Sequence, residues 1–360
     1  MPKLKPVQDK IKDVFKTGVL TNGKYVRQFE QNCAKFLGVK NAIAVSNGTS
    51  AIIISLKCLD LKGEVIMPSF TFSSAAHSLL WCGLTPVFVD IDRETFNIDP
   101  NLIEEKITQN TSAIFAAHIF GNPCNMDKIQ NIAKKHKLKV IYDAAHAFGS
   151  TCKGRSIALF GDVSVFSLTP TKVLTAGEGG IIALNDSSLV EIFKMGRNNG
   201  DSYNRDEEFL GIAARMHEFG AIVGIEGLKI LKKSLKRRLK LANLYKKELA
   251  LVPGISFQKI TEDCVSTYKD FTILVDENKF GAPRDELLRE LLKNKIETRV
   301  YFNPPIHKKK GYREYKDIYL PNTEFVSGHI MNLPFYSDMP EASVRKVCSV
   351  IKNFHKKVTA

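Results

Sequence analysis

Residues Phe166–Ile182 read FSLTPTKVLTAGEGGII: the end of an apolar strand, an irregular segment holding a single lysine, Lys172, and a glycine-rich turn into a second apolar strand. The run upstream, VSVFSL, and the run downstream, GIIAL, both read as strands, so Lys172 belongs to a connection between two apolar strands. A lysine held in a cleft and partly desolvated loses its proton near neutral pH and forms a Schiff base with an aldehyde such as pyridoxal phosphate. Taken alone, this run fits a solvated loop lysine better, because 52 Lys and Arg residues supply many such loops.

Three further features change that balance. In KLKVIYDAAHAFG the apolar strand Val140-Ile141-Tyr142 ends in Asp143, and open α/β sheets place ligand-binding groups at the carboxyl ends of their strands. A carboxylate there can keep a pyridine nitrogen protonated, so that the ring draws electrons from a carbanion; as a helix N-cap before Ala-Ala-His-Ala it fits equally well. Ser46-Asn47-Gly48-Thr49-Ser50 links the strand AIAV to the helix-like AIIISLKCL. Such a turn presents backbone N–H groups and hydroxyls to a phosphate, although many capped helix starts bind nothing. After the strand EVIM comes PSFTF, where Phe72 can lie flat on an aromatic ring or serve as an ordinary core residue.

In this order the four features, together with LTNGKYVRQFE, PVFVDID, HIFGNP, RMHEF, YFNPPIH and NLPFYSDMP, make a chain that resembles the DegT/DnrJ/EryC1/StrS family of sugar aminotransferases over nearly its whole length. The resemblance implies an α/β protein of PLP fold type I, like aspartate aminotransferase, with a large domain around a mostly parallel mixed sheet and a smaller C-terminal α/β domain. It implies pyridoxal 5'-phosphate as cofactor. The Schiff-base lysine falls on Lys172, the pyridinium partner on Asp143, the phosphate turn on Gly48 and Thr49, the stacking aromatic on Phe72 and a phosphate-binding serine on Ser167. His146 takes a position where relatives carry Gln or His beside the cofactor's phenolic oxygen, and Arg215 keeps a position suited to cofactor or substrate phosphate. Relatives that carry histidine in place of the lysine run a dehydration, and Lys172 argues against that branch.

Two departures stand out. Relatives commonly carry a histidine where this chain has Thr169. Where relatives read Gly-x-Asn-x-Arg-Met, this chain reads GIAARM, with Ala213 in place of an asparagine that reaches the neighbouring subunit's cofactor phosphate. The expectation is weaker cofactor retention, or compensation by Asn198 or Asn199.

The reaction implied is amino transfer by double displacement, from L-glutamate to a keto sugar, with Lys172 as both anchor and proton carrier. The substrate expected on family grounds is a dTDP- or UDP-linked 4-keto-6-deoxyhexose, in amino sugar, O-antigen or polysaccharide biosynthesis. A homodimer with active sites at the subunit boundary is implied as well. Two other readings stay open: a dehydratase-type reaction of the same fold, and a catalytically idle PLP-binding regulator. The loss at Ala213 favours the idle protein, and the intact Lys172, Asp143 and Ser167 disfavour it.

Composition fits a soluble enzyme: 360 residues, 44% hydrophobic and 25% charged, are enough for a large core and a smaller domain. No apolar run approaches the roughly 18 residues of a membrane span, and MPKLKPVQDK has no apolar signal core, so no membrane association and a cytoplasmic location are expected. The seven cysteines, Cys33, Cys58, Cys82, Cys124, Cys152, Cys264 and Cys348, show no CxxC or Cys/His clustering. They read as free thiols with no metal site. The net charge of +14 raises nucleic-acid binding as a rival. Much of that charge lies in Leu228–Leu249, where Leu228, Leu231, Leu235, Leu239 and Ala242 recur at helical spacing among basic residues. This is an amphipathic helix with a solvated basic face, and no nucleic-acid module accompanies it. Lys308, Lys309 and Lys310 read as a basic surface loop that adds to a field attracting anionic substrates.

Strand-like runs at 41–45, 64–67, 86–89, 112–117, 139–143, 163–168 and 180–184 alternate at first with helix-like runs near 49–60, 72–82 and 127–136, the pattern of a mostly parallel sheet. A composition break at VPGISFQ sets the expected division at 1–250 and 251–360, the N-terminal segment being free to pack on the smaller part. In that part FTILV and TRVYF read as strands around a helix near 284–294, with a last helix from about 340. Loops 200–209 and 303–315 are the expected specificity determinants.

Overall fold

In the computed structural model, which describes residues 3–202 and 207–360, thirteen strands form three sheets among the described residues. In chain order they are β1 Asn41–Val45, β2 Glu64–Pro68, β3 Thr85–Val89, β4 Thr111–Ala117, β5 Lys139–Asp143, β6 Thr151–Cys152, β7 Arg155–Ser156, β8 Val163–Ser167, β9 Gly180–Leu184, β10 Ile255–Phe257, β11 Cys264–Val265, β12 Phe271–Val275 and β13 Ile330–Leu333. The helices are α1 Leu4–Thr17, α2 Lys24–Leu37, α3 Gly48–Cys58, α4 Ser74–Trp81, α5 Met126–His136, α6 Val190–Gly196, α7 Glu218–Leu249, α8 Glu277–Phe280, α9 Arg284–Lys293, α10 Pro321–His329 and α11 Glu341–Thr359.

The seven apolar runs build one sheet, in the order β1-β9-β8-β5-β4-β2-β3. Strand β9 is antiparallel to both its neighbours, and the remaining neighbouring pairs are parallel. These strands read as continuous apolar runs because both faces of the sheet are covered. Successive residues alternate between the two faces: Ala42, Ala44, Ile114, Ala116 and Tyr142 join one core cluster, with α1, α2, α5 and the first half of α7. Ile43, Val45, Ala113, Phe115 and Ile141 join the other, with α3, α4 and α6. One edge of this sheet therefore collects the C-terminal ends of β1, β2, β4, β5 and β8 together with the start of β9.

Helix α7 begins ten residues before the expected basic stretch. Its Gly224 lies where a Cβ would stand 2.5 Å from the Phe29 ring, so glycine lets α2 and α7 meet closely. At its first turn the buried Glu218 accepts from the N–H groups of Gly23, Tyr25 and Val26, which caps α2 from outside. Of the expected stripe Leu231 and Ala242 are buried, whereas Leu239 is 39% exposed; Arg238, Leu241 and Tyr245 complete the buried face.

Past α7, strands β10, β12 and β13 form a small antiparallel sheet. Its core joins Leu241 and Tyr245 of α7 to Leu287 of α9 and Val347 of α11. The expected strand TRVYF is not one: Arg299 makes a single bridge to Asn332, and two cis peptide bonds follow, Tyr301-Phe302 and Asn303-Pro304. The N-terminal helix α1 packs on the large core through Val7 and Val14, with Lys10 paired to Glu226 at 2.6 Å, and not on the small sheet. No helix among the described residues is long and apolar enough to cross a membrane.

Cys152 and Cys264, expected as free thiols, are joined in a disulfide across the antiparallel pair β6 and β11. They stand 112 positions apart in sequence, and only the tertiary fold brings them opposite each other. Titration of the denatured, unreduced protein should count five thiols, those of Cys33, Cys58, Cys82, Cys124 and Cys348. Reduction should lower stability by about 2–4 kcal/mol. A count of seven thiols contradicts the pairing.

Candidate active site

The sheet edge described above is where the chemistry-bearing residues meet. Strand β1 ends at Val45 and turns through Asn47 into α3, where Asn47 Oδ1 accepts from Ser50 N–H at 2.8 Å. The N–H groups of Gly48 and Thr49 precede the capped one, in the turn where a helix has no internal acceptors. A Cβ on Gly48 would stand 2.9 Å from Ser167 Cβ, so only glycine lets the start of α3 close on the end of β8. This brings the Thr49 and Ser167 hydroxyls to the positive end of an 11-residue helix, an arrangement suited to a phosphate.

At the end of β5, Asp143 is buried and its Oδ1 accepts from Ala145 N–H at 2.9 Å. Burial pushes its carboxyl above the usual range, while the Ala145 N–H and the Lys172 charge pull it back. A buried carboxylate in a cavity wall is the complement of a cationic ring nitrogen. His146 lies nearly parallel to the rings of Phe120 and Phe302, with centroids at 6.0 and 6.3 Å. Its Nδ1 accepts from Phe120 N–H at 3.3 Å, and burial, with Lys172 and Lys269 nearby, holds it well below its ordinary pKa. The ring is thus neutral, and the Phe120 contact assigns its proton to Nε2, which can donate.

The β8–β9 connection carries Lys172. Lys172 N–H donates to Thr169 O at 3.0 Å, and Ala176 N–H donates to Leu168 O at 2.9 Å, which folds the segment back over the strand ends. Burial first, and Lys269 second, bring the Lys172 amine down to about 8, against the opposing pull of Asp143 and Asp270. Phe72, 59% exposed, stands in the same wall with its ring free to cover a planar ligand.

Gly48, Thr49, Phe72, Asp143, His146, Ser167 and Lys172 all line one cavity of about 380 Å³. Its phosphate-suited end, buried carboxylate, neutral imidazole donor, aromatic face and amine fit pyridoxal phosphate group by group. Arg215 is absent from that wall; it is exposed, and its Nη1 donates to Asn198 Oδ1 at 2.6 Å. Asn198, weighed as a substitute for the missing asparagine, is thus engaged with Arg215 and bridged to Ala213. Asn199 and Ala213 are exposed.

Lys269 and Tyr301 also line the cavity; Tyr301 opens the YFNPPIH motif, and Lys269 carries no local sequence signal. A second cavity of about 830 Å³ shares Thr171, Lys172, Lys269 and Tyr301 with the first, so the lysine is reached from two sides. Of the two expected specificity loops, 303–315 is fastened to the end of β2: His307 Nδ1 meets Ser69 Oγ at 2.6 Å, and its Nε2 meets Glu324 Oε1 at 3.2 Å. This resembles a hydrolytic Ser-His-Glu arrangement, but Ser69 and His307 are fully buried and outside the cavity, so it serves as a clasp. Lys308 of the same loop is tied to Lys316 O, Ile318 O and Glu324. In loop 200–209, residues 203–206 lie outside the described residues.

Comparison with known proteins places this geometry in context. A family model described as the DegT/DnrJ/EryC1/StrS aminotransferase family matches residues 4–352. The chain is similar to the dTDP-4-amino-4,6-dideoxy-D-glucose transaminase of Escherichia coli, 34% identical over 98% of this chain and 96% of that one. The solved structure of DesI in the presence of its TDP-sugar product superposes with a TM-score of 0.94, at 31% identity, over 99% of this chain and 91% of that one. That of ntda from Bacillus subtilis with bound cofactor PMP gives 0.89, at 30% identity, over 97% and 82%.

Proposed function

The chain belongs to the DegT/DnrJ/EryC1/StrS aminotransferase family, and from that premise we propose that it carries an amino group from L-glutamate to a nucleotide-linked 4-keto-6-deoxyhexose, dTDP- or UDP-linked, in two half-reactions at one site. It is a pyridoxal-phosphate-dependent sugar aminotransferase. The observation that carries the finer reading is the convergence of Lys172, Asp143, Ser167 and the Gly48-Thr49 turn on one cavity. The 4-amino-6-deoxy, dTDP-linked sugar in the name of the Escherichia coli relative supports the substrate class.

When bound, the cofactor supplies an aldehyde carbon for amines and a pyridinium ring that accepts the electron pair left by a departing proton. Gly48, Thr49 and Ser167 would hold its phosphate, Asp143 its ring nitrogen and Phe72 its face, and His146 Nε2–H would donate to its phenolic oxygen. Lys172 would anchor the group through its amine. That amine, with a pKa of about 8, would take the proton from the donor's α-carbon and return it one position along. The same amine runs the sequence in reverse with the keto sugar, so the first keto acid leaves before the sugar enters.

The same reading treats 251–360 as a smaller domain on a larger 1–250 unit, supported by the separate core around Phe271 and Val347, into which the end of α7 inserts Leu241 and Tyr245. It also takes the protein as a homodimer, with the exposed Arg215 serving the partner's site, and as cytoplasmic. Incubation with L-glutamate and a dTDP-linked 4-keto-6-deoxyhexose should yield the amino sugar by mass spectrometry, with one 2-oxoglutarate per amine formed. No amine from either the dTDP- or the UDP-linked sugar overturns the substrate class.

A further inference from the structure

Lys269 stands out because the catalytic reading leaves it unused, although it lies in the wall common to both cavities. It is 8% exposed, an uncommon place for an ammonium. Its backbone is held at both ends: Lys269 N–H donates to Phe120 O at 2.9 Å, and its carbonyl accepts from Arg238 Nη2 at 2.6 Å. Two residues earlier, Thr267 Oγ1 donates to the carbonyl of His146 at 2.6 Å, which ties this segment to the loop after β5. The side chain is equally fixed, with Nζ 3.0 Å from both carboxylate oxygens of Asp270 and 5.7 Å from the Tyr301 ring centroid.

We propose that Lys269 is a positioning residue for the reaction: its immobile ammonium opposes protonation of Lys172, and Asp270 sets how strongly it does so. This rests on Lys172 being the reacting amine. Two like charges that share a desolvated wall repel far more than they would in water, so the mobile one gives up its proton first. Lys172 is the mobile one, because Lys269 is paired with a carboxylate and Lys172 has no such partner within bonding distance among the described residues. The other charged groups facing Lys172 are Asp143 and, through the larger cavity, Arg237, Arg238, Asp338 and the solvent-exposed Lys233 and Arg299. His146 is neutral there, and Glu178 lies exposed at the rim. Arg237 is paired with Glu341, and Arg238 is spent on the carbonyls of Thr267, Tyr268 and Lys269 and the Ser337 hydroxyl. Lys269 is thus the buried, fixed cation that shares both cavity walls with the reacting amine. The repulsion agrees in sign with the lowered Lys172 value, to which Lys269 is the largest contributor after burial.

The test is the pH dependence of acylation at Lys172, read by peptide mass spectrometry on the full-length, cofactor-free chain, so that no turnover is involved. Wild type should label with a midpoint near 8. Lys269→Met should move the midpoint up by about one pH unit, slowing labelling at pH 7 about tenfold. Asp270→Asn should move it down and speed labelling, and Lys269→Arg should behave as wild type. Opposite shifts in two variants cannot both follow from a loosened fold, and the arginine variant reports whether the segment still packs. A common midpoint for wild type, Lys269→Met and Asp270→Asn overturns the proposal. Failure of the functional reading would appear separately, as no Lys172-linked cofactor after borohydride reduction.

Discussion

Replacing Lys172 by alanine should lower turnover by at least about 10³-fold and abolish covalent cofactor attachment, while the folded protein still retains pyridoxal phosphate weakly. The loss is large because one amine performs two tasks. It is the anchor that donor and sugar displace in turn, and it is the base that moves the proton in both half-reactions. The weak retention follows from what the substitution leaves in place: the Gly48-Thr49 turn, the Ser167 hydroxyl, the Phe72 ring and the Asp143 carboxylate all belong to other segments of the wall. Lys172 is half-buried in a loop whose turn is closed by backbone hydrogen bonds, so alanine should not disturb the fold. Turnover above about a tenth of wild type would show that another group carries the proton.

Asp143→Asn is expected to have the next largest effect, a fall in kcat on the order of 10²–10³-fold, the size seen when one preorganised electrostatic group is removed. The amide keeps the shape and can still accept from Ala145 N–H, so folding and covalent attachment at Lys172 survive. What it removes is the negative charge that keeps a ring nitrogen protonated, and with it the ring's capacity to accept the electron pair. The measurement is steady-state kinetics beside cofactor content: kcat should fall while content stays near wild type. A change in kcat below about threefold contradicts the role assigned to Asp143.

The large sheet was legible because its strands are buried on both faces, and the apolar runs at 41–45, 139–143 and 180–184 coincide with β1, β5 and β9. The start of α7 was not. The expected helical stretch begins only at Leu228, past Gly220, Gly224 and Gly227, of which Gly224 is required by contact with Phe29 and Gly220 by the carbonyls of Ala176 and Glu178. TRVYF reads as a strand, yet it makes one bridge, Arg299 to Asn332, and residues 301–304 hold two cis peptide bonds. Of the cavity-lining residues, Gly48, Thr49, Phe72, Asp143 and Lys172 follow apolar runs and were open to a functional reading from the sequence, whereas His146 and Ser167 entered only through the family resemblance. Lys269 could not be read this way: it precedes β12, a strand of the other sheet, and reaches the cavity only because Arg238 and Phe120 hold its backbone there. The Cys152–Cys264 pair was hidden for the same reason, since register between β6 and β11 exists only in the folded chain.

The most direct test of amino transfer through Lys172 is a single half-reaction: the protein loaded with pyridoxal phosphate, given L-glutamate and no sugar, and assayed for 2-oxoglutarate. The account predicts about one 2-oxoglutarate per chain, with simultaneous bleaching of the Lys172-linked cofactor's visible band, and neither change in Lys172→Ala. No 2-oxoglutarate until a sugar is added, or an equal yield from Lys172→Ala, would contradict it.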